Sequence, residues 1–165
     1  MKMLDWLSSK FVMMIAGVLI LTSAITLIGV QKDGLEEFEL KQIANKIADA
    51  VNSIGQTLAE TKSSMEFEKK AGAQSLPLEV GGKGYTVNMS QSSVVVTQGS
   101  KGFSARFSVQ AHYWNPNLEA VSNKSHLEEM DCAHRYLSLN SSSRFVIEHK
   151  IIMMEECNEF HTFVY

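Results

Sequence analysis

The sequence predicts an α+β fold: a long N-terminal helix, first transmembrane and then amphipathic, followed by a small antiparallel β-sheet domain. Three observations support this prediction: an uncharged apolar run, an apolar stripe with helical spacing after it, and period-two alternation beyond it. The predicted segments are a cytoplasmic N-terminal segment (1–10), a transmembrane helix (11–30), an amphipathic stalk helix (31–62) and an extracytoplasmic β-rich domain (63–165).

The apolar run from Phe11 to Val30 is long enough to cross a bilayer, because twenty helical residues span roughly 30 Å. A secretory signal has a shorter apolar region and small residues at a cleavage site, whereas acidic residues follow this run. We therefore expect a retained single-pass anchor in the cell membrane. Lys2 and Lys10 precede the run, so the positive-inside tendency predicts a cytoplasmic N-terminus and an extracytoplasmic C-terminal domain.

An amphipathic stretch continues this helix without an intervening proline and is predicted to end near Lys62. Its apolar residues recur at spacings of three and four, which indicates one packing stripe. The stripe has two compatible partners, the domain's own sheet and other subunits. Its members are Leu40, Ile43, Ile47, Val51, Ile54 and Leu58.

Apolar and polar residues alternate in the C-terminal part, which is typical of antiparallel strands with one buried face. The segment SMEFEK alternates in this way, and a three-stranded meander is predicted from GYTVNMS, SVVVTQ and GFSARFSVQ. A C-terminal hairpin is predicted from RFVIEHKII and NEFHTFVY. Between them, Ser125 with Glu128 predicts a capping box. The short helix that it starts is predicted to face the sheet with Leu127, Met130, His134 and Leu137.

The composition and the motifs of the sequence argue against several classes of function. A net charge of −3 and a pI near 5.9 give no electrostatic footprint for nucleic acid. The glycine-rich stretch 81–84 lacks the P-loop spacing and is predicted to be a turn. Without an elbow or another motif that places a nucleophile, the sequence predicts no enzyme, no catalytic residue, no cofactor and no small-molecule ligand.

Histidines, cysteines and asparagines give weaker signals. The best local ligand set, Asp131, Cys132 and His134 with His126, lacks the paired spacing of zinc motifs, so no metal site is predicted. The histidines are expected to be structural or on the surface, and His149 and His161, on opposite arms of the last hairpin, are expected on the surface. The remaining candidates are a disulfide between Cys132 and Cys157, with two unpaired thiols as the alternative, and glycosylation at the sequons of Asn88, Asn123 and Asn140.

The order of parts, with sequence support from Lys10 to Leu58, resembles small archaeal type IV pilin-like proteins, including archaellum-type subunits. The run LPLEVGGKGYTVNMSQSSVVV (76–96) is also similar to archaeal pilin-like proteins. The resemblance implies a helix that first sits in membrane lipid and later packs in a filament core, with the β domain outside. Ser8-Ser9-Lys10 replaces the family's usual glycine or alanine before the cleavage point, and Ile15 replaces the glutamate of bacterial forms, so N-terminal processing is left open.

Two functions are therefore considered. The first is a structural or assembly component of a cell-surface type IV pilus-like filament, which associates with itself or with other pilin-like subunits. The alternative is a monomeric, membrane-anchored extracytoplasmic binding or sensing domain. Assembly predicts a mature start at Phe11, loss of association with a charge at Ile20 or Leu27, and weaker association when Gly17 or Ala24, where helices approach closely, is reshaped.

Overall fold

A computed structural model of the protein describes residues 2–68, 75–118, 121, 123–154 and 158–165, with residues 2–9 described by their backbone. The chain divides into two compact units, Met1–Glu37 and Phe38–Tyr165. Helix α1 (Lys2–Gly55) contributes its N-terminal part to the first unit and its C-terminal part to the second. A long N-terminal helix followed by a β domain rich in antiparallel strands is thus confirmed.

From Lys10 onward, the first unit leaves its apolar side chains uncovered. Every residue from Lys10 to Leu35 is exposed. The hydroxyls of Thr22, Ser23 and Thr26 donate to the carbonyl four residues earlier at 2.8–2.9 Å, which satisfies them within the helix. This helix is long and apolar enough to cross a membrane.

The C-terminal part of α1 lies in the main core of the second unit. Leu40, Ile47 and Val51 are fully buried there, Ile43 is nearly so, and Ile54 packs against them partly buried. Packing of the stripe against the domain's own sheets is therefore confirmed for these residues.

The helix ends earlier than predicted. Thr57 donates from both its amide and its hydroxyl to Ile54 O, at 3.2 and 2.8 Å, which closes the last turn. Strand β1 (Thr61–Glu68) begins only a few residues later. The predictions that the stalk helix continues to Lys62 and that Leu58 belongs to its packing stripe are therefore wrong, and Leu58 is 94% exposed.

Nine strands form two sheets in the described residues. The five-stranded sheet has the order β2-β1-β8-β9-β6, and the four-stranded sheet has the order β5-β4-β3-β7. The strands after β1 are β2 (Ser75–Pro77), β3 (Thr86–Ser90), β4 (Ser93–Gln98), β5 (Lys101–Arg106), β6 (Ala111–His112), β7 (Tyr136–Asn140), β8 (Phe145–Met153) and β9 (Asn158–Val164).

Strand pairing agrees with the alternation where the strands are long. The meander β3-β4-β5 and the hairpin β8-β9 are antiparallel, as predicted. The pairs β1-β2 and β6-β9 are parallel, so the domain is not wholly antiparallel. Strands β2 and β6 have three and two residues, too few for an alternation to appear in the sequence.

The turn predicted in the glycine-rich stretch is confirmed. Val80 and Lys83 form an isolated antiparallel bridge around Gly81 and Gly82, whose φ angles are +57° and +76°. Glycine has no Cβ and adopts this left-handed region without strain. The Gln98 side chain donates from Nε2 to the carbonyls of Val80 and Lys83, each at 2.9 Å, and fixes the turn to the sheet.

Helix α2 (Lys124–Ala133) covers a second, smaller core. Asn123 is its N-cap, and its Oδ1 accepts from the His126 amide at 2.8 Å. The predicted capping box of Ser125 and Glu128 is therefore wrong, because Asn123 already caps the helix two residues earlier. Since α2 ends at Ala133, His134 is exposed and Leu137 belongs to β7, whereas the predicted inward positions Leu127 and Met130 are buried with Trp114, Ile152 and Phe163.

Candidate functional site

A cavity of about 630 Å³ lies in the second unit, beside α2, β9 and the C-terminal end of α1. Its volume is in the range of small-molecule sites. Its lining combines carboxylates, imidazoles and a lysine with hydrocarbon side chains. These residues include Val109, His112, Lys124, Leu127, Glu128, Asp131, His149, Met154, Glu159, Phe160 and His161.

Asp131, His112 and His161 form a buried chain of hydrogen bonds, called here the imidazole chain. Asp131 Oδ1 lies 2.7 Å from His112 Nδ1, and His112 Nε2 lies 3.1 Å from His161 Nδ1. Trp114 donates from Nε1 to the same Asp131 oxygen at 3.3 Å. Because His112 is only 3% exposed, the centre of the imidazole chain is shielded from water.

Three elements bring the imidazole chain together. In the parallel pair β6-β9, His112 lies beside Phe163, and partners in register share a face of the sheet. His161 precedes Phe163 by two residues and therefore lies on that same face. Helix α2 packs over it through Leu127, and Asp131, one turn later, shares the helix face of Leu127.

The carboxylate sets the direction of the imidazole chain, because a carboxylate only accepts hydrogen bonds. In the tautomer in which His112 donates from Nδ1 to Asp131, its Nε2 accepts from His161 Nδ1. The last nitrogen, His161 Nε2, carries a lone pair. It is buried and has no hydrogen-bond partner among the described residues.

The surroundings of His161 keep it neutral. Burial, the largest effect, lowers the pKa of its imidazole below the usual 6.5, against the opposing effect of Glu159 and Asp131. Glu159 Oε2 lies 3.9 Å from His161 Nε2, beyond hydrogen-bonding distance. A neutral His161 therefore offers an acceptor whose position is set by His112 and Asp131.

His149 forms a second group beside the imidazole chain. It is 4% exposed, its Nδ1 lies 3.1 Å from Thr162 Oγ1, and its ring stacks on that of Phe160 at 4.9 Å with an interplanar angle of 4°. Burial lowers the pKa of His149, and a hydrogen bond that its imidazole donates to the Thr57 backbone opposes this shift. The prediction of His149 and His161 as surface residues is wrong. His149 is buried beside its strand partner Thr162 on one face of the hairpin, whereas His161 lies with Phe163 on the other face, which α2 covers.

The four residues weighed as a metal-ligand set in the sequence do not converge. Asp131 turns inward to His112, whereas Cys132 and His134, a few residues further along, are exposed. The described part of the chain contains no group of three or more histidine, cysteine, aspartate or glutamate residues that could hold a metal ion.

Cysteine and sequon predictions remain predictions. Cys132 carries a free, exposed thiol, and Cys157 lies outside the described residues. Asn88 is partly buried on β3 and accepts from Ser138 Oγ at 2.7 Å, whereas the sequon residues Asn123 and Asn140 are exposed.

The helix residues predicted for assembly all lie in the exposed part of α1. Phe11, Ile20 and Leu27 are 61–70% exposed, and Ala24 is also exposed. A Cβ added at Gly17 would meet nothing within 4 Å, so this helix surface has room for a close neighbour.

Acidification is expected to destabilise the second unit. Because burial holds the pKa of His149 and of His161 below 6.5, the unfolded chain binds more protons than the folded chain just below pH 6.5. The free energy of unfolding should therefore fall as the pH falls, by about 1 kcal/mol between pH 7 and pH 6. Urea unfolding of the full chain in nanodiscs at each pH measures this change.

Two variants separate this effect from other titrations. Replacing both histidines by glutamine should remove most of the difference between pH 7 and pH 6. The exposed His134→Gln variant should keep it. A wild-type stability that is flat across this range would contradict the inferred burial of neutral imidazoles.

No protein-family model, no curated protein and no solved structure matches this chain. Two features of the molecule therefore bear on its function. One is the uncovered apolar part of α1, and the other is the cavity with its imidazole chain.

Proposed function

We propose that the protein is a membrane-anchored subunit of pilin-like build, a structural or assembly component of a cell-surface filament. One observation supports this proposal above all: α1 is apolar and exposed in its N-terminal part, yet buried in a β domain from Leu40 onward. Thirteen large apolar side chains between Phe11 and Val30 are 49–70% exposed. Fully burying one such side chain contributes about 1.5–3 kcal/mol, so together they drive the helix into lipid or against other helices.

Charges flanking this helix support a single orientation. Lys10 precedes the apolar part, while Asp33, Glu37 and Glu39 follow it, so the N-terminus lies in the cytoplasm and the second unit lies outside. In this orientation, the β domain of each subunit already lies on the outer side of the membrane before the filament assembles.

A helix needs only apolar side chains to be stable in lipid, whereas association of two helices also requires that their backbones approach each other closely. Gly17 and Ala24 are seven residues apart and lie on one helix face, where small side chains let a second helix come near. The hydroxyls of Thr22, Ser23 and Thr26 already bond to the helix's own carbonyls. Specific association through this helix face would therefore depend mainly on the packing of its small residues.

Enlarging the small-residue face should weaken association and leave membrane insertion intact. We expect Gly17→Leu and Ala24→Leu each to reduce self-association of the full chain at least about tenfold, because an added side chain keeps the helices apart. Energy transfer between donor- and acceptor-labelled chains in phosphatidylcholine vesicles measures this, and flotation of the vesicles reports insertion.

Ala16→Leu is the matched control, since it adds a similar side chain about 100° around the helix. It should insert and associate as the wild type does. Equal energy transfer in all four proteins would contradict assembly through this face. In native cells, recovery of the chain in the sheared surface fraction, with its N-terminal peptide identified by mass spectrometry, tests the filament itself and whether the mature chain starts at Phe11.

A monomeric, membrane-anchored binding or sensing domain is the second candidate. The 630 Å³ cavity with its buried imidazole chain favours it, because a purely structural subunit does not require such a cavity. This candidate predicts that association is absent in the vesicle assay and that the chain is found only in membranes.

A further inference from the structure

We propose that the cavity beside α2 binds a small organic cation, an ammonium group carried on a short hydrocarbon chain. The site is built within the second unit, and the inference holds whether or not the anchor helix assembles. Charge, hydrogen-bond acceptors and the apolar wall of the cavity all favour this class of ligand.

Charge favours a cation. Among the described residues, Glu128, Asp131 and Glu159 line the cavity against a single lysine, Lys124. The lining therefore carries an excess of acidic over basic side chains, and Asp131 among them is buried. A cation that enters the cavity reduces this excess, and exclusion of water by the ligand strengthens the attraction.

Hydrogen bonding favours a ligand that carries an N–H group. The imidazole chain ends in His161 Nε2, a buried nitrogen without a hydrogen-bond partner among the described residues. A buried acceptor that stays unpaired is costly, and a ligand N–H that reaches it removes that cost. Glu159 Oε2, 3.9 Å from this nitrogen, stands close enough for one ammonium group to donate to both after a small side-chain shift.

Hydrocarbon side chains also line the cavity. Val109, Leu127, Met154 and Phe160 supply aliphatic and aromatic surface in the same lining as the charged groups. An apolar wall next to a few convergent polar groups is typical of small-molecule sites. A short alkyl chain fits this wall while its ammonium group meets the acceptors.

Two other ligand classes fit less well. The described residues hold no group of three or more metal-ligating side chains, so a metal ion lacks a ligand set there. An anion would meet Lys124 and the N-terminal end of α2, but Asn123 Oδ1 already accepts from the His126 amide, and both glutamates oppose a negative charge.

Three probes of similar shape and different charge test the proposal: n-pentylammonium, 1-pentanol and pentanoate. The protein is the full chain in phosphatidylcholine nanodiscs with Trp6→Phe, so that Trp114, bonded to Asp131, reports alone. Ionic strength is held constant with sodium chloride. We expect a saturable fluorescence change with pentylammonium at concentrations at least tenfold below those at which either other probe acts.

Glutamine substitutions locate the site. Glu128→Gln and Glu159→Gln should each weaken pentylammonium binding about fivefold, in line with the loss of one exposed charge partner. Glu129→Gln, the same change on an exposed residue of α2 that does not line the cavity, should leave binding unchanged.

Clear outcomes would overturn the proposal. If pentanoate binds more tightly than pentylammonium, the cavity is an anion site. If pentanol binds as tightly as pentylammonium, the charge of the ligand does not contribute and the cavity is an apolar cleft. No saturable change with pentylammonium, or an equal loss of affinity in the Glu129→Gln control, would also reject the assigned site.

Discussion

Replacing Gly55 by valine is expected to lower the free energy of unfolding of the second unit by about 3 kcal/mol. A Cβ built at Gly55 falls 2.7 Å from both Thr162 Oγ1 and Val109 Cγ2. These neighbours are short branched side chains whose close atoms sit one bond from their own Cβ, and Thr162 also contacts His149. Neither can move aside cheaply, so the end of α1 has to separate from β9.

A loss of stability in Gly55→Val would be informative, because helix propensity predicts the opposite change. In a helix, alanine or valine is ordinarily more favourable than glycine, so propensity alone predicts a gain in stability. Gly34, where an added Cβ meets nothing within 4 Å, is the matched control on the same helix, and Gly34→Val should not destabilise the second unit. Urea unfolding of the full chain in nanodiscs measures both. A Gly55→Val variant as stable as the wild type would show that α1 does not end against β9 as described.

Features with a strong local pattern could be predicted from the sequence. The composition of the run from Phe11 to Val30 predicts that it lies in an apolar environment. The helical spacing of the apolar residues from Leu40 to Ile54 predicts one buried helix face. Apolar and polar residues alternate in the segments that form β3 and β5, enough to show which face is buried, and the apolar run of β4 indicates a central strand.

Features set by distant contacts could not be predicted in this way. His112 meets Asp131 and His161 across separations of 19 and 49 residues, through a two-residue parallel strand pair. Such a pair leaves no period in the sequence. The prediction that His149 and His161 lie on the surface failed because their burial depends on what covers the hairpin, which the hairpin's own residues do not encode.

One local signal did point to the imidazole chain. Asp131 follows Leu127 by four residues, so an acidic side chain lies on the apolar face of α2. A carboxylate on a buried face requires a partner, because an unpaired buried charge is strongly unfavourable. His112 stands between apolar and aromatic residues in the segment AHYW, a context that indicates burial. Taken together, the acidic residue on the buried helix face and the histidine in an apolar segment predict that Asp131 pairs with His112, which neither position predicts alone.

Removing the carboxylate of Asp131 is expected to be the most damaging change within the imidazole chain. In the Asp131→Ala variant, His112 Nδ1 and Trp114 Nε1 both lose their acceptor in a buried site. Leaving buried donors unpaired costs about 1–3 kcal/mol for each group, so we expect the free energy of unfolding to fall by about 3 kcal/mol.

Asp131→Asn separates the hydrogen bond from the charge. Its side-chain oxygen still accepts from His112 or Trp114, so we expect a loss of only about 1 kcal/mol, less than in the alanine variant. Glu129→Ala, on an exposed position of the same helix, should stay within about 0.5 kcal/mol of the wild type. Urea unfolding of the full chain at pH 7.5, followed by Trp114 fluorescence, measures all three. If Asp131→Ala proves as mild as Glu129→Ala, the carboxylate does not hold His112. The lone pair assigned to His161 Nε2 would then lose its structural basis.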